Sequence, residues 1–178
     1  MNDFESGSRK IIPAVLVYAR QGSDFLMLHR NAGGERGARD YHLGKWNGLG
    51  GKFEPGESPL DCAVREFSEE SEVRLEPDQF KCLGILQFPN FKPKKNEDWM
   101  VYVFTVRVTL EQRRLLPSDK AVVEGTLGWI PEEKLLSLNL WTGDQTFLPF
   151  VIKEQPFAAT IWYQGQEVER TWVEPLGD

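Results

Sequence analysis

Residues 58–73 constrain the fold more than any other part of the chain. They open with helix-start signals: Ser58 is a good N-cap, Pro59 suits the first helical position and Asp61 occupies the third. Apolar residues then recur at the spacing of one helical face, at Leu60, Ala63, Val64 and Phe67. The stretch therefore predicts an amphipathic helix whose apolar face is buried in the domain core.

Three glutamates, Glu66, Glu69 and Glu70, crowd one flank of this helix. At about 100° per residue they lie beside the apolar face, and we expect them to be half buried at the edge of the core. Like charges three and four residues apart repel each other, so a multivalent cation is the simplest reason to keep them together. Carboxylate oxygens are ligands that Mg²⁺ and Mn²⁺ prefer, although most charge runs are simply solvated.

The composition fits one ordinary globular domain, since 40% of the 178 residues are hydrophobic and 27% are charged. We expect a flexible tail over residues 1–10 and a single domain over residues 11–178. Helices are predicted at residues 58–72, 131–138 and 144–153, and a mobile surface loop at residues 30–45. Strands are predicted at residues 11–18, 24–29, 81–88, 99–108, 126–130, 157–163 and 168–173, and residues 46–53 form a short glycine-rich segment that is followed by a turn.

The net charge of −6 argues against a nonspecific nucleic-acid or anionic-membrane surface. Cys62 and Cys82 suggest no disulfide framework and are typical of reduced thiols of the cytosol. No segment approaches the roughly 20 apolar residues of a membrane span. We therefore expect a cytoplasmic protein without a membrane or a stable nucleic-acid partner, and the oligomeric state is left open.

Residues 51–73, GKFEPGESPLDCAVREFSEESEV, resemble the Nudix box. That signature places a glycine, here Gly51, before a glutamate, here Glu57, and continues with Arg-Glu-apolar-x-Glu-Glu-x-Gly-apolar from Arg65. One defining position differs, because Glu72 stands where the family has a glycine. That glycine adopts a left-handed conformation, which a non-glycine residue can occupy at a cost of about 1 kcal/mol.

The resemblance implies a loop–helix–loop that binds divalent metal and hydrolyses a phosphoanhydride in a nucleoside diphosphate linked to another group. Glu57 and Arg65 would form a salt bridge that holds the loop against the helix, and one of the glutamates would take the proton of the attacking water. Glu124 matches a distal glutamate that supplies an extra metal ligand in similar enzymes. The implied metal ligands are Glu66, Glu69, Glu70, Glu124 and the carbonyl of Gly51. The implied fold is α+β, a Nudix α/β/α sandwich whose mixed sheet is flanked by the box helix and by a helix in the C-terminal half.

Residues 46–52 and 140–144 resemble segments of the MutT-type 8-oxo-dGTP diphosphatases within this family. The resemblance implies that Asn47 hydrogen-bonds the purine edge, Trp141 stacks on the base and Asp144 reads a ring N–H or amine. The human member of that group has two adjacent aspartates after the tryptophan, whereas the first position here is Gly143. This departure leaves open a guanine-type selectivity or another nucleotide.

Further substrate-binding candidates are Lys52, at the end of the first segment, and two aromatic residues, Phe88 and Trp99. The aromatic pair either walls the base pocket or packs in the core. Trp141 could likewise be a core residue, and Asn47 could simply be a turn residue. The basic turn of Lys92, Lys94 and Lys95 either steers phosphates or is merely solvated.

The expected function is Mg²⁺-dependent (or Mn²⁺-dependent) hydrolysis of a purine nucleoside triphosphate, such as 8-oxo-dGTP or dGTP, to the monophosphate and pyrophosphate. One alternative is another Nudix substrate: a nucleotide sugar, a dinucleoside polyphosphate or a 5′-triphosphate RNA. A less favoured alternative is a catalytically silent nucleotide-binding module.

Overall fold

Nine strands form one mixed sheet in the computed structural model, which describes residues 9–31 and 43–177. The predicted tail, apart from Arg9 and Lys10, and most of the predicted loop at residues 30–45 lie outside the described residues. The strands are β1 (Lys10–Gln21), β2 (Asp24–His29), β3 (Trp46–Asn47), β4 (Phe80–Lys92), β5 (Glu97–Arg107), β6 (Lys120–Val122), β7 (Gly125–Pro131), β8 (Phe157–Gln164) and β9 (Glu167–Pro175). The helices are α1 (Pro59–Ser71), α2 (Leu110–Leu115), α3 (Glu132–Leu135) and α4 (Asp144–Ile152).

The strand order across the sheet is β6-β7-β2-β1-β5-β4-β8-β9, and β3 pairs with β2. The β1–β5 and β4–β8 pairs are parallel and the others are antiparallel. The mixed sheet agrees with the predicted fold class.

Hydrophobic cores lie on both faces of the sheet, because side chains along a strand alternate between faces. In β1, Val15 and Val17 belong to a core that also contains Phe67 of α1. Ala14 and Tyr18 of the same strand belong to another core, which contains residues of α4 such as Phe147. Helices α1 and α4 therefore cover opposite faces, as a sandwich requires.

Helix α1 begins as predicted, with a capping box between Ser58 and Asp61. It ends at Ser71, and Glu72 adopts the predicted left-handed conformation with φ of 59°. The predicted buried face is wrong at Leu60, which is 36% exposed, whereas Cys62 is fully buried. The buried face turns towards Cys62 and Glu70, because the segment before the helix packs over the side that carries the acids.

The remaining helices differ from the predictions at their ends. Helix α3 covers only Glu132–Leu135 of the predicted 131–138, and α4 is capped by Gly143, so Asp144 is its first residue. Helix α2, which Thr109 caps, and the short strands β3 and β6 were not predicted. No helix within the described ranges combines the length and the apolar character that crossing a membrane would need.

Candidate active site

The segment at residues 49–53 lies between β1 and α1 and contacts both. On the β1 side, the Val17 N–H donates to the Leu49 carbonyl at 2.6 Å and the Val15 N–H donates to the Gly51 carbonyl at 2.8 Å. On the α1 side, the Gly50 N–H donates to Glu70 Oε2 at 2.6 Å. The segment therefore ties the acidic helix to the centre of the sheet.

Both glycines of this segment are sterically required. A Cβ at Gly50, where φ is +150°, would lie 2.1 Å from the Val15 carbonyl oxygen. A Cβ at Gly51 would lie 2.4 Å from Glu66 Oε1, so the absent side chain leaves space for that carboxylate. The prediction that Gly51 offers its carbonyl to a metal needs correction, because this oxygen faces β1. Alternation along the segment puts the Gly50 carbonyl on the side of the carboxylates.

Arg65 joins the acids of the site into one network, and its predicted pair with Glu57 is present. The guanidinium contacts both Glu57 oxygens, with Nε–Oε1 at 2.6 Å and Nη2–Oε2 at 3.0 Å. These hydrogen bonds lower the pKa of Glu57 to about 2. Arg65 also donates to Glu66 at 2.8 Å, to Glu69 at 3.1 Å and to the Lys52 carbonyl at 3.0 Å. The loop and the helix are thus fixed by one bidentate cation.

The three glutamates of α1 differ in burial, contrary to the prediction that all are half buried. Glu70 is 8% exposed, the Glu66 side chain is 14% exposed and the Glu69 side chain is 59% exposed. Burial raises the pKa of Glu66, and Arg65 partly offsets this. Burial is the main cause that raises the pKa of Glu70, and the negative charge of Glu124 is the second. The buried pair, Glu66 and Glu70, therefore forms the centre of the acidic cluster.

Glu124 lies in the turn between β6 and β7, and it joins this cluster as the resemblance implied. Its negative charge raises the pKa of Glu70, and Arg30 forms a salt bridge with it. Its charge also raises the pKa of Glu66. Acidic side chains from α1 and from the β6–β7 turn are therefore close together in the fold.

The chemistry of these residues fits a divalent cation, although the side chains alone do not form a complete set of ligands. Within residues 9–31 and 43–177, no group of three Asp, Glu, His or Cys side chains converges closely enough to hold a metal ion as it stands. The donors are oxygens, and burial, together with the charge of Glu124, raises the pKa of Glu66 and of Glu70, a shift that a nearby cation would oppose. Mg²⁺ is commonly held by one or two carboxylates together with water and substrate phosphates, so an incomplete protein cluster suits it.

An aromatic pocket continues from the acidic cluster within the same cavity, which has a volume of about 520 Å³. Phe88 and Trp99, both predicted to wall a base pocket, line it together with Phe91 and Tyr163. The Phe91 ring lies 5.4 Å from that of Phe88 and 5.5 Å from that of Trp99. The volume suits a small-molecule ligand.

The three predicted base-binding residues, Asn47, Trp141 and Asp144, meet in this aromatic part of the cavity. Asn47 belongs to β3, Asp144 begins α4, and Trp141 lies in the turn before it. Burial raises the pKa of Asp144 to about 7, partly offset by a backbone hydrogen bond at Trp141 and by the charge of Lys45. Burial therefore disfavours the charged form of the Asp144 carboxyl group.

Two lysines lie between the acidic cluster and the aromatic pocket. The Nζ atoms of Lys52 and Lys92 are 5.2 Å and 4.7 Å from the centre of the Trp99 ring. Lys52 was predicted to bind substrate, whereas for the basic turn containing Lys92 the sequence left open whether it steers phosphates or is solvated. The cavity wall includes both side chains, so both can meet an anionic group.

Sequence reasoning missed Tyr163, Phe91 and Arg30 as residues of this site. A signal for Tyr163 was present, because Phe157, Ile161 and Tyr163 alternate along one face of β8. Arg30 and Phe91 had no such signal, since their approach depends on the tertiary fold.

The fold and this cleft place the chain in a known class of hydrolases. The family model described as the NUDIX domain matches residues 9–151. The chain therefore belongs to the Nudix family, and the predicted family is confirmed.

The chain is similar to proteins with a more specific name. The oxidized purine nucleoside triphosphate hydrolase of Danio rerio is 27% identical over 130 residues, which cover 73% of this chain and 77% of that protein. The protein of the same name from Mus musculus is 26% identical over 129 residues, with coverages of 72% and 76%. Among solved structures, the mutator MutT protein from Bacillus halodurans has a TM-score of 0.73 at 22% identity and covers 92% of this chain and 97% of that chain. The structural similarity confirms the predicted fold.

Proposed function

We propose that this Nudix hydrolase cleaves a purine nucleoside triphosphate to the monophosphate and pyrophosphate, with 8-oxo-dGTP as the leading substrate and Mg²⁺ or Mn²⁺ as the cofactor. One observation carries the proposal: a single cavity of about 520 Å³ joins the acidic cluster to the aromatic pocket. A ligand that spans it needs a polyphosphate at one end and a flat, partly polar group at the other. A nucleotide meets both requirements.

The acidic cluster provides the chemistry of hydrolysis. Glu66, Glu70 and Glu124 would hold the metal together with the Gly50 carbonyl. Glu69, at the solvent-exposed edge of the cluster, would be a more weakly held ligand. When bound, the ion would neutralise phosphate charge and lower the pKa of a water molecule. A buried glutamate, Glu66 or Glu70, takes the proton of the attacking water. Arg65 and Glu57 keep these side chains in position.

The aromatic pocket provides binding of the base. Trp141 stacks on the purine, an interaction worth about 1–3 kcal/mol per base in other proteins. Asn47 and Asp144 form hydrogen bonds with the base edge, and Phe88 and Trp99 wall the pocket. Lys52 contacts the phosphates. The names of the relatives from Danio rerio and Mus musculus support an oxidised purine nucleoside triphosphate as the substrate.

Glu70→Gln tests the proposed chemistry. Because Glu70 is buried within the cluster, we expect this change to lower kcat for 8-oxo-dGTP by about 10²–10⁴-fold, the usual contribution of a proton-transfer group. The measurement is release of pyrophosphate with Mg²⁺, together with chromatographic identification of the monophosphate. An equal rate in the wild type and the variant would contradict the proposal.

Glu69→Gln is the matched control, since it changes the neighbouring glutamate on the exposed side of the same helix. We expect it to lower kcat by no more than about a tenth of the factor seen for Glu70→Gln, because water already solvates Glu69. A panel of dGTP, nucleotide sugars, dinucleoside polyphosphates and 5′-triphosphate RNA tests the substrate class. A higher kcat/KM for one of these than for 8-oxo-dGTP would replace the substrate and leave the hydrolytic chemistry in place.

The location and the partners are proposed from the sequence. The net charge of −6 supports a protein without a stable nucleic-acid partner. The free cysteines, Cys62 and Cys82, support a cytoplasmic location. Fractionation of cells that express the chain would test the location.

A further inference from the structure

Gly143, the N-cap of α4, has no space for a side chain because a tyrosine hydroxyl occupies it. A Cβ at this position would lie 2.3 Å from Tyr163 Oη and 3.0 Å from Ile161 Cγ2. The Gly143 N–H donates to the same Tyr163 oxygen at 3.1 Å. Gly143 and the β8 tyrosine are therefore matched to each other, next to Asp144.

The side chain of Tyr163 belongs to the aromatic part of the cavity. Its ring packs 6.2 Å from that of Phe88 and 6.0 Å from that of Phe91, and it lines the cavity together with Asp144. The oxygen accepts from Gly143, so its own hydrogen is left to donate. Among the hydrogen bonds of the described residues, none gives this hydrogen an acceptor. Burial and the charge of Asp144 raise the pKa of Tyr163, so the group stays a phenol.

We infer that Tyr163 is a specificity-determining residue, whose hydroxyl donates to a carbonyl oxygen at C6 of the purine. This inference rests on the proposed function, which places the base in the aromatic pocket. In its charged form, Asp144 accepts a hydrogen bond from the N1–H of the base. In guanine and hypoxanthine, the carbon next to N1 is C6, which carries a carbonyl oxygen. Adenine presents an amino donor there instead, so the phenol of Tyr163 would meet another donor. A buried donor left without its acceptor disfavours the wrong base.

Binding of nucleoside monophosphates tests this role separately from hydrolysis. IMP and AMP differ at C6, and GMP adds the 2-amino group. We expect the wild type to bind IMP and GMP at least about 10-fold more tightly than AMP, as calorimetry without metal would measure. Tyr163→Phe should weaken IMP and GMP binding by about 5- to 10-fold and change AMP binding by less than about 2-fold.

Gly143→Ala and Tyr102→Phe are the companion variants. The alanine methyl group displaces the Tyr163 hydroxyl, so Gly143→Ala should reduce the preference for IMP, and adding Tyr163→Phe should reduce it little further. Tyr102 packs against Phe53, which lines the cavity, but is not itself part of the lining, so loss of the Tyr102 hydroxyl should leave the preference unchanged.

Each outcome of this experiment is decisive. An unchanged preference for IMP over AMP in Tyr163→Phe overturns the role of Tyr163 and leaves the proposed function standing. A wild type that binds none of the three monophosphates overturns the base pocket and, with it, this role. Pyrophosphate release by the same wild type then shows whether the acidic cluster is active independently.

Discussion

Arg65 shows how a single residue can organise an acidic cluster and the loop beside it. Its guanidinium contacts Glu57 with two hydrogen bonds and reaches Glu66, Glu69 and the Lys52 carbonyl. Lysine could not replace it, because an ammonium group lacks the planar fork that binds a carboxylate bidentately. The conformation of the loop and the position of the helical acids thus depend on the same side chain.

The depressed pKa of Glu57 predicts a pH dependence of stability. The pKa falls from the usual 4.5 to about 2, so the pair stabilises the fold fully above about pH 4.5. This stabilisation is lost as the pH falls from there towards 2. We expect Glu57→Gln to lower the free energy of unfolding by about 1–3 kcal/mol at pH 7 and by less at pH 3. Urea unfolding at both pH values measures the difference.

Glu54→Gln is the control for this pH series, since Glu54 is exposed and lies three residues away. Its effect should stay within about 0.5 kcal/mol at both pH values. A Glu57→Gln effect that is the same at pH 7 and pH 3 would argue against the charge of the pair as its source.

At the scale of elements, helix α1 ends at a position that favours glycine. Glu72 has φ of 59° and forms an exposed ion pair with Lys120 at 3.0 Å. Glu72→Gly should relieve the left-handed strain, whereas Glu72→Ala keeps the strain and loses the same ion pair. We expect the glycine variant to be about 1 kcal/mol more stable than the alanine variant, as measured by chemical denaturation. Equal stabilities would mean that the backbone at this position carries no strain.

The elements also show how far local sequence signals reach. The start of α1 was predictable because a helix N-terminus depends on neighbouring residues, whereas the left-handed conformation of Glu72 was implied by the family resemblance. The exposure of Leu60 and of Glu69 was not predictable in this way, since the segment at residues 49–53 decides which side of α1 is covered. Glu124 was identified by family resemblance alone. The contact between Gly143 and Tyr163 joins positions 20 residues apart, and no local pattern indicates it.

At the scale of the whole molecule, one sheet lies between the two cores, and each of its strands can contribute side chains to both. Phe67 belongs to the core beneath α1, and Phe147 belongs to the core beneath α4. Phe67→Leu and Phe147→Leu should each lower the free energy of unfolding by about 1–2 kcal/mol. Their effects should add within about 0.5 kcal/mol, because they share no buried neighbours.

The same variants test the prediction of one domain over residues 11–178. In a single cooperative unit, circular dichroism and tryptophan fluorescence give the same unfolding midpoint for the wild type and for each variant. Separate midpoints for the two probes would divide the chain into two units.

The cleft draws its two ends from different parts of the chain, and this has a consequence for evolution. In the proposed function, hydrolysis depends on α1 and Glu124, whereas base recognition depends on the start of α4 and on β8. Mutations at the second end can therefore exchange one nucleotide for another while the first end keeps working. Residues 46–53 contribute to both ends. In a library selected for new nucleotides, accepted changes should accumulate around positions 141–144 and 163 and should be rare at Gly50 and Gly51.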